Sequence, residues 1–342
     1  MLIYFYRNLI KGRCILKNVS LKNIRKDIVS GIIVALVSIP ISMGYAQIAG
    51  LPAVYGLYCS ILPVLIYGLV TSSPQFVFGV DATPAALVGG TLATLGIVSG
   101  SEEAKAVVPS ITLVAALWLL LFFFIKAGRI VNYISTPVMG GFISGIGVTI
   151  ILMQAAKLFG GNAGTGEAIK LLMHIAGEMK SFNLLSAVLG VGTVIIILIA
   201  KKFIPKFPMS VLLMVLGALA TAIFHIDRCG VKLLPHVDKG LPGFSLPDMS
   251  VVFKNPSEII LLGLSVAGVV MAQTLLATNN YANKYGYKVS NNREILSYAA
   301  ANAASAVIGG CPLNGSVSRT GIADQFGCKS QVMSITASLT ML

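Results

Sequence analysis

Gly79-Val80-Asp81-Ala82-Thr83-Pro84-Ala85-Ala86 lies where a short extended run, Gln75-Phe76-Val77-Phe78, gives way to an apolar helix starting near Ala82. In so apolar a chain, that helix begins inside the membrane. Its free backbone N–H groups and the positive end of its dipole then face the protein interior, ready for an anion. A second stretch, Gly310-Cys311-Pro312-Leu313-Asn314-Gly315-Ser316-Val317-Ser318-Arg319, has the same order of events. Each has an extended glycine- and proline-bearing lead-in, then small hydroxyl residues, then a short helix. Paired interrupted segments of this kind point to the binding site of a secondary transporter.

Composition fixes the class around these two stretches. The chain has 342 residues, 56% of them hydrophobic and 11% charged, with mean hydropathy +0.87. A soluble domain carries about 25% charged residues. Repeated apolar runs of about 20 residues make this an all-α polytopic membrane protein. A β-barrel would need alternating strands of about ten residues, and these runs are continuous.

The net charge of +13 is read by location. Arg7, Lys11, Arg13, Lys17, Lys22, Arg25 and Lys26 all precede the first span, which predicts a cytoplasmic N-terminus. Basic residues at helix ends and loops carry no motif for reading bases, so nucleic acid is not an expected partner. Met1–Ile10 reads as a short interfacial helix, since no cleavage site of small residues follows it. Five scattered cysteines and three histidines at loops or helix ends give no metal-ligand spacing and no catalytic pairing. Neither a metal, a cofactor nor an enzyme is expected.

Along the chain, Asp27–Ala46 reads as a first span interrupted within Ser38-Ile39-Pro40-Ile41-Ser42, and Leu51–Val70 as a second. The half-helix Ala82–Val98 follows, then spans over Ala106–Ile125, Val131–Leu158, Leu184–Ala200, Pro208–Phe224 and Ser257–Thr278. Ala168–Met179 reads as a surface helix and His225–Pro256 as a polar stretch. Glu294–Ile308 and Ser316–Gln325 read as short helices, and a last span begins after Lys329-Ser330-Gln331. The chain stops at Leu342 within it, which predicts a fragment or a degenerate product.

Arg319 stands in the second half-helix. An intramembrane arginine is costly and marks a functional site by default. The competing reading is a structural ion pair with Asp81 or Asp324.

These motifs resemble the sulfate permease (SulP) family of anion transporters and exchangers. The matching residues are Asp27-Ile28-Val29-Ser30-Gly31, Gly44-Tyr45-Ala46, Gly50-Leu51-Pro52, Tyr55-Gly56-Leu57-Tyr58, Ser72-Ser73 and Gly79-Val80-Asp81-Ala82. Gly141-Phe142 with Gly145 and Gln154, Gly240-Leu241-Pro242, Asn292-Arg293-Glu294-Ile295 and Ser316-Val317-Ser318-Arg319-Thr320 follow in order. The resemblance covers nearly all of 27–342. It implies a seven-plus-seven inverted-repeat transporter fold, here with an incomplete second repeat and without the last gate helices or the C-terminal STAS domain. It divides the chain into a basic cytoplasmic segment (1–26), a first part of the core or transport domain (27–130), gate helices (131–228), a polar loop (229–256) and a second part of the core (257–342).

The resemblance places the substrate between the half-helix starts near Ala82 and Ser316, completed by side chains of the first and eighth spans. The expected substrate-binding residues are Ser42, Ala82, Thr83, Ala85, Gln273, Thr274, Ser316, Val317, Ser318 and Arg319. The expected function is secondary active transport of a small inorganic anion, sulfate by family, by alternating access. An anion channel, a bicarbonate or chloride exchanger, and an inactive truncated fragment are the alternatives. The implied partners are the small anion, the lipid bilayer of a bacterial-type plasma (inner) membrane and a second copy of the chain as a homodimer. Two departures stand out. Ile41-Ser42 follows the first-span proline where the family often has glutamine. Gln273 stands where many bacterial members carry an acid, which puts coupling to a proton or sodium ion in doubt.

Overall fold

Glycine and proline decide where the helices of this chain break, and the breaks position everything else. The computed structural model describes residues 21–129, 136–162, 164, 168–204, 207, 209–233, 240, 243–244, 246–254 and 256–342. The expected interfacial helix at Met1–Ile10 and most of Gly240-Leu241-Pro242 lie outside them.

Helix α1 (Leu21–Ile48) runs unbroken through Pro40. The expected interruption there is corrected: the proline forfeits one amide bond, which packed neighbours in a membrane helix absorb. The second span is the one that breaks. It forms α2 (Val54–Cys59) and α3 (Leu62–Val70), with Pro63 in the first turn of α3, where a missing N–H costs nothing. The Ser60 hydroxyl donates to the Gly56 carbonyl at 2.8 Å and so covers one freed acceptor at the end of α2.

Strand β1 (Phe78–Val80) leads into α4 (Ala82–Thr94), which ends short of the expected Val98 because Gly96 turns the chain at φ +72°. Helix α5 (Glu102–Phe124) follows, capped by the Ser101 hydroxyl accepting the Ala104 N–H at 3.1 Å. Next come α6 (Thr136–Ala155), α7 (Ala168–Glu178), α8 (Leu184–Phe203), α9 (Met209–Phe224) and a short α10 (Met249–Lys254) inside the stretch read as polar loop. Helix α11 (Pro256–Tyr285) runs past the expected Thr278 through Asn279–Lys284. Lys284 holds this extension, donating to Asp324 at 2.8 Å. Helix α12 (Asn291–Val307), strand β2 (Leu313–Gly315), α13 (Val317–Gln325) and α14 (Val332–Met341) complete the order.

Strands β1 and β2 pair antiparallel, with Phe78 opposite Gly315, Gly79 opposite Asn314 and Val80 opposite Leu313. Each strand runs straight into its helix, so α4 and α13 leave the ladder in opposite directions. That is the signature of an inverted repeat. The Ser316 amide extends the ladder to the Val77 carbonyl at 2.9 Å. Unpaired extended backbone at membrane depth would be prohibitive, and the two strands satisfy each other instead.

The ladder rests on a stack of buried rings. Phe78 lies between Tyr67 and Tyr298, with centroids 4.7 and 5.2 Å apart. Beneath it, Glu294 is fully buried and accepts hydrogen bonds from the Ser72 amide, the Ser72 hydroxyl and the Thr71 hydroxyl at 2.6 to 2.8 Å. Helix α12 packs on α3 and α5, and α14 on α1. Small residues permit this approach: a Cβ on Gly31 would sit 2.6 Å from the Met333 carbonyl oxygen.

Among the described residues, four helices are long and apolar enough to cross a membrane: Asn23–Ile48, Glu102–Phe124, Leu184–Phe203 and Pro256–Tyr285. The apolar side chains of α8, including Val188, Ile195 and Leu198, face outward, as a bilayer requires.

Candidate anion-binding site

Two helix starts meet at the ladder. Asp81 and Ser316 are the N-cap residues of α4 and α13, and neither side chain caps its own helix. Pro84 carries no N–H in the first turn of α4, which leaves Ala82 and Thr83 as its leading donors, while Val317, Ser318 and Arg319 lead α13. Both positive dipole ends therefore converge on one small volume of the membrane interior.

Arg319 joins the two starts. It is rooted in the first turn of α13 but extends back along β1, where its Nη2 donates to the Val80 carbonyl at 2.6 Å. The same Nη2 lies 3.8 Å from the Asp81 carboxylate. A close charge-assisted bond spans about 2.7–2.9 Å, so the pair is loose. The absence of a side chain at Gly79 makes the path possible, since a Cβ there would come within 2.9 Å of Nη1. Arg319 is only 2% exposed, and among the described residues its Nε finds no acceptor. A buried guanidinium with an unused donor is expensive unless an acceptor completes it. Of the two ion-pair readings, Asp81 is the partner, while Asp324 is held by Lys284 and the Tyr285 hydroxyl.

A polar chain supports this pair from the side of α11. The Asn314 amide nitrogen donates to Gln273 Oε1 at 2.6 Å and lies 3.4 Å from Asp81 Oδ2. Thr274 donates to Asn314 Oδ1 at 2.6 Å and accepts the Gly315 amide at 2.9 Å. The geometry thus offers positive potential, free N–H donors and a side-chain amide in a low-dielectric setting.

The residues expected to bind substrate fall into three groups. Ala82, Gln273, Ser316, Val317, Ser318 and Arg319 gather around the two helix starts, with Val317 and Ser318 exposed and the Ser316 and Ser318 hydroxyls 3.3 Å apart. Thr83, Ala85 and Thr274 are buried; Thr274 acts on the ladder, positioning Asn314 and Gly315. Ser42 is 0% exposed and its hydroxyl lies 2.9 Å from the Ser60 hydroxyl oxygen, within hydrogen-bond distance, on the side of α1 that packs against α2. Ile41, with Pro40, instead lines an open groove bounded by Thr193 and Ile197 of α8 and by Leu213 and Met214 of α9.

Asp81 and Asn314 are the members that reasoning from sequence left out of the site. Both stood in the quoted stretches. The signal was a polar side chain beside glycine in an extended lead-in, where β geometry turns alternate residues to the same face.

Comparison with known proteins agrees with this architecture. A model of the sulfate permease family matches residues 24–342. A probable sulfate transporter of Mycobacterium tuberculosis (strain CDC 1551 / Oshkosh) is 27% identical over 315 residues, covering 92% of this chain and 56% of that protein. A low affinity sulfate transporter of Stylosanthes hamata is 28% identical over 349 residues, covering 96% and 54% respectively. The chain therefore spans about half the length of these relatives. Among solved structures, the murine anion transporter Slc26a9 in its inward-facing state superposes with TM-score 0.87 at 20% identity, covering 100% of this chain and 59% of that one. The transmembrane domain of a cyanobacterial bicarbonate transporter, BicA, gives 0.78 at 19% identity, covering 95% and 83%. Two half-helices started from an antiparallel pair of strands, in a chain matched almost end to end by one family's model, leave a single assignment: this integral membrane protein belongs to the sulfate permease family.

Proposed function

We propose that the chain carries a small inorganic anion across the membrane by alternating access, with sulfate as the leading substrate. The observation that carries this reading is Arg319, buried between two helix starts with its Nε unpartnered. The anion accepts N–H bonds from the first turns of α4 and α13 and completes the guanidinium. Gln273 adds an amide donor at the side, and the Ser318 hydroxyl lies on the exposed flank. The matched relatives named as sulfate transporters support the choice of anion.

Residues 27–130 and 257–342 act as one core that carries the site, and residues 131–228 act as the gate. The open groove between Pro40–Ile41 and helices α8 and α9 supports this division, because a core that moves against its gate needs a face that is not packed shut. A cytoplasmic N-terminus is supported by charge. Arg25, Lys26, Lys126, Arg129, Lys284, Lys288, Arg293 and Lys329 share the end of the bundle where α1 begins, with Asp27 and Asp324, while Lys105 and Lys157 lie toward the other.

The test is uptake of labelled sulfate into proteoliposomes, with bicarbonate and chloride as competitors. Saturable uptake, accelerated by sulfate on the opposite side, is the expected result. Conductance that rises without saturation would make the protein a channel instead.

A further inference from the structure

The loose contact between Asp81 and Arg319 has a consequence for how the site loads. We infer that Asp81 is a resident counter-ion, which the incoming anion displaces from Arg319 and which takes up one proton as it is displaced. This rests on the anion-binding reading above and adds to it the site's internal competitor and its proton.

The geometry is that of a placeholder. At 3.8 Å from Nη2 the carboxylate neutralises the guanidinium without forming a tight bond to it. Its second oxygen fares no better, lying 3.4 Å from an Asn314 amide nitrogen whose short bond, 2.6 Å, goes to Gln273. The Asp81 side chain is 17% exposed and Arg319 2%, so of the two partners the carboxylate is the one nearer to water and protons. Arg319 keeps its Val80 bond throughout and still has Nε to offer.

The groups facing the Asp81 carboxylate come from every element packed around it. They are Arg319 on α13, the Tyr45 hydroxyl on α1, the Ser316 hydroxyl, the Asn314 amide on β2 and the Ala82 amide of its own helix. Among the described residues facing it, Arg319 is the one full positive charge. An anion seated on that charge therefore stands beside a carboxylate with nothing left to balance it. Two like charges within a few ångströms do not both ionise at low cost, so the carboxylate binds H⁺ drawn from the water that admits the anion. When the anion leaves, the proton leaves with it and Asp81 returns to Arg319. The proton offsets one of the charges the anion brings: the Asp81–Arg319 pair is neutral before loading, and the loaded site is neutral with a monovalent anion and carries a single negative charge with sulfate. Gln273 carries an amide, which does not ionise, and takes no part in the titration.

The experiment is calorimetric titration of the purified full chain with sulfate, in buffers of different ionisation enthalpy and across a pH series. The slope of heat against buffer enthalpy counts protons bound per anion. For the wild type, one proton per sulfate is expected, with affinity rising roughly tenfold per unit fall in pH where the free carboxylate is ionised. Asp81→Asn is expected to bind sulfate more tightly at neutral pH, with a flat pH series and no proton uptake. Wild-type binding without proton uptake overturns the inference and leaves the anion site standing. Weaker binding by Asp81→Asn, or an unchanged proton count, also overturns it. Absence of binding by sulfate, bicarbonate and chloride to the wild type overturns the site and the inference together.

Discussion

The Glu294 carboxylate accepts both the amide and the hydroxyl of Ser72, each at 2.6 Å, and so ties the first turn of α12 to the chain that enters β1. Ser73 and Thr71 bond to the same carboxylate. One buried acid thus sets the approach of the strand that leads into Asp81.

Replacing Glu294 with alanine removes the buried acceptor of the Ser72 amide and of the Ser72, Thr71, Tyr67 and Tyr298 hydroxyls, while the Ser73 amide keeps the Thr71 hydroxyl oxygen at 3.1 Å. The expected loss of stability is roughly 3 kcal/mol or more, since each orphaned donor costs about 1–3 kcal/mol. Thermal unfolding in detergent measures it, and an unchanged midpoint would contradict the role given to Glu294.

Gly79→Ala pushes a methyl group to 2.9 Å from Arg319 Nη1. That atom is the end of a flexible side chain, so the guanidinium moves and the fold survives. Sulfate affinity is expected to drop about tenfold, equivalent to 1.4 kcal/mol, with little change in melting temperature. Arg319→Ala removes the charge itself and is expected to abolish binding while the protein still inserts. Retained affinity in both variants would place the anion elsewhere.

Neighbouring glycines of α4 give an internal control. A Cβ at Gly89 would lie 2.0 Å from the Ile48 carbonyl oxygen, while one at Gly90 meets nothing within 4 Å. Gly89→Ala must separate α4 from α1 and is expected to cost about 1–3 kcal/mol or more. Gly90→Ala is expected to be neutral or to stabilise the helix by up to about 1 kcal/mol. Equal melting temperatures would argue against the close crossing of α1 and α4.

Gln273→Glu keeps the oxygen that accepts from Asn314 and adds a second titratable group beside Asp81. The proton count per sulfate is expected to rise above one and the pH dependence to steepen. A count identical to the wild type would mean that this position does not sense the bound anion.

Much of this arrangement was legible in the sequence because glycine and proline act locally. Gly79 and Pro84 in one stretch, and Gly310, Pro312 and Gly315 in the other, announce extended lead-ins and helix starts without help from the rest of the fold. Proline was less legible where its effect depends on context. Pro40 sits within an unbroken α1, while Pro63 opens α3 and splits a span that reads as continuous. Hydropathy cannot separate these cases, because packing around the lost N–H decides each one.

Site membership was harder to read than site position. Ser42 has the right chemistry and lies one residue past Ile41, but its hydroxyl meets Ser60 on the packed side of α1. Which face of α1 looks toward α8 and α9 is set by tertiary packing and has no local signal. Arg319 was legible as a costly residue. Its reach along β1 to Asp81 was not, because that contact spans 238 positions and requires the strand register that brings Gly79 opposite Asn314.

The most direct measurement is the location of a heavy sulfate analogue in the protein. Crystals grown or soaked with selenate, with anomalous data recorded at the selenium edge, would show where the oxyanion sits. The predicted result is a peak between the first turns of α4 and α13, within hydrogen-bond reach of Arg319 and lost in Arg319→Ala. A selenium peak elsewhere in the membrane region, unchanged by that substitution, would contradict the account.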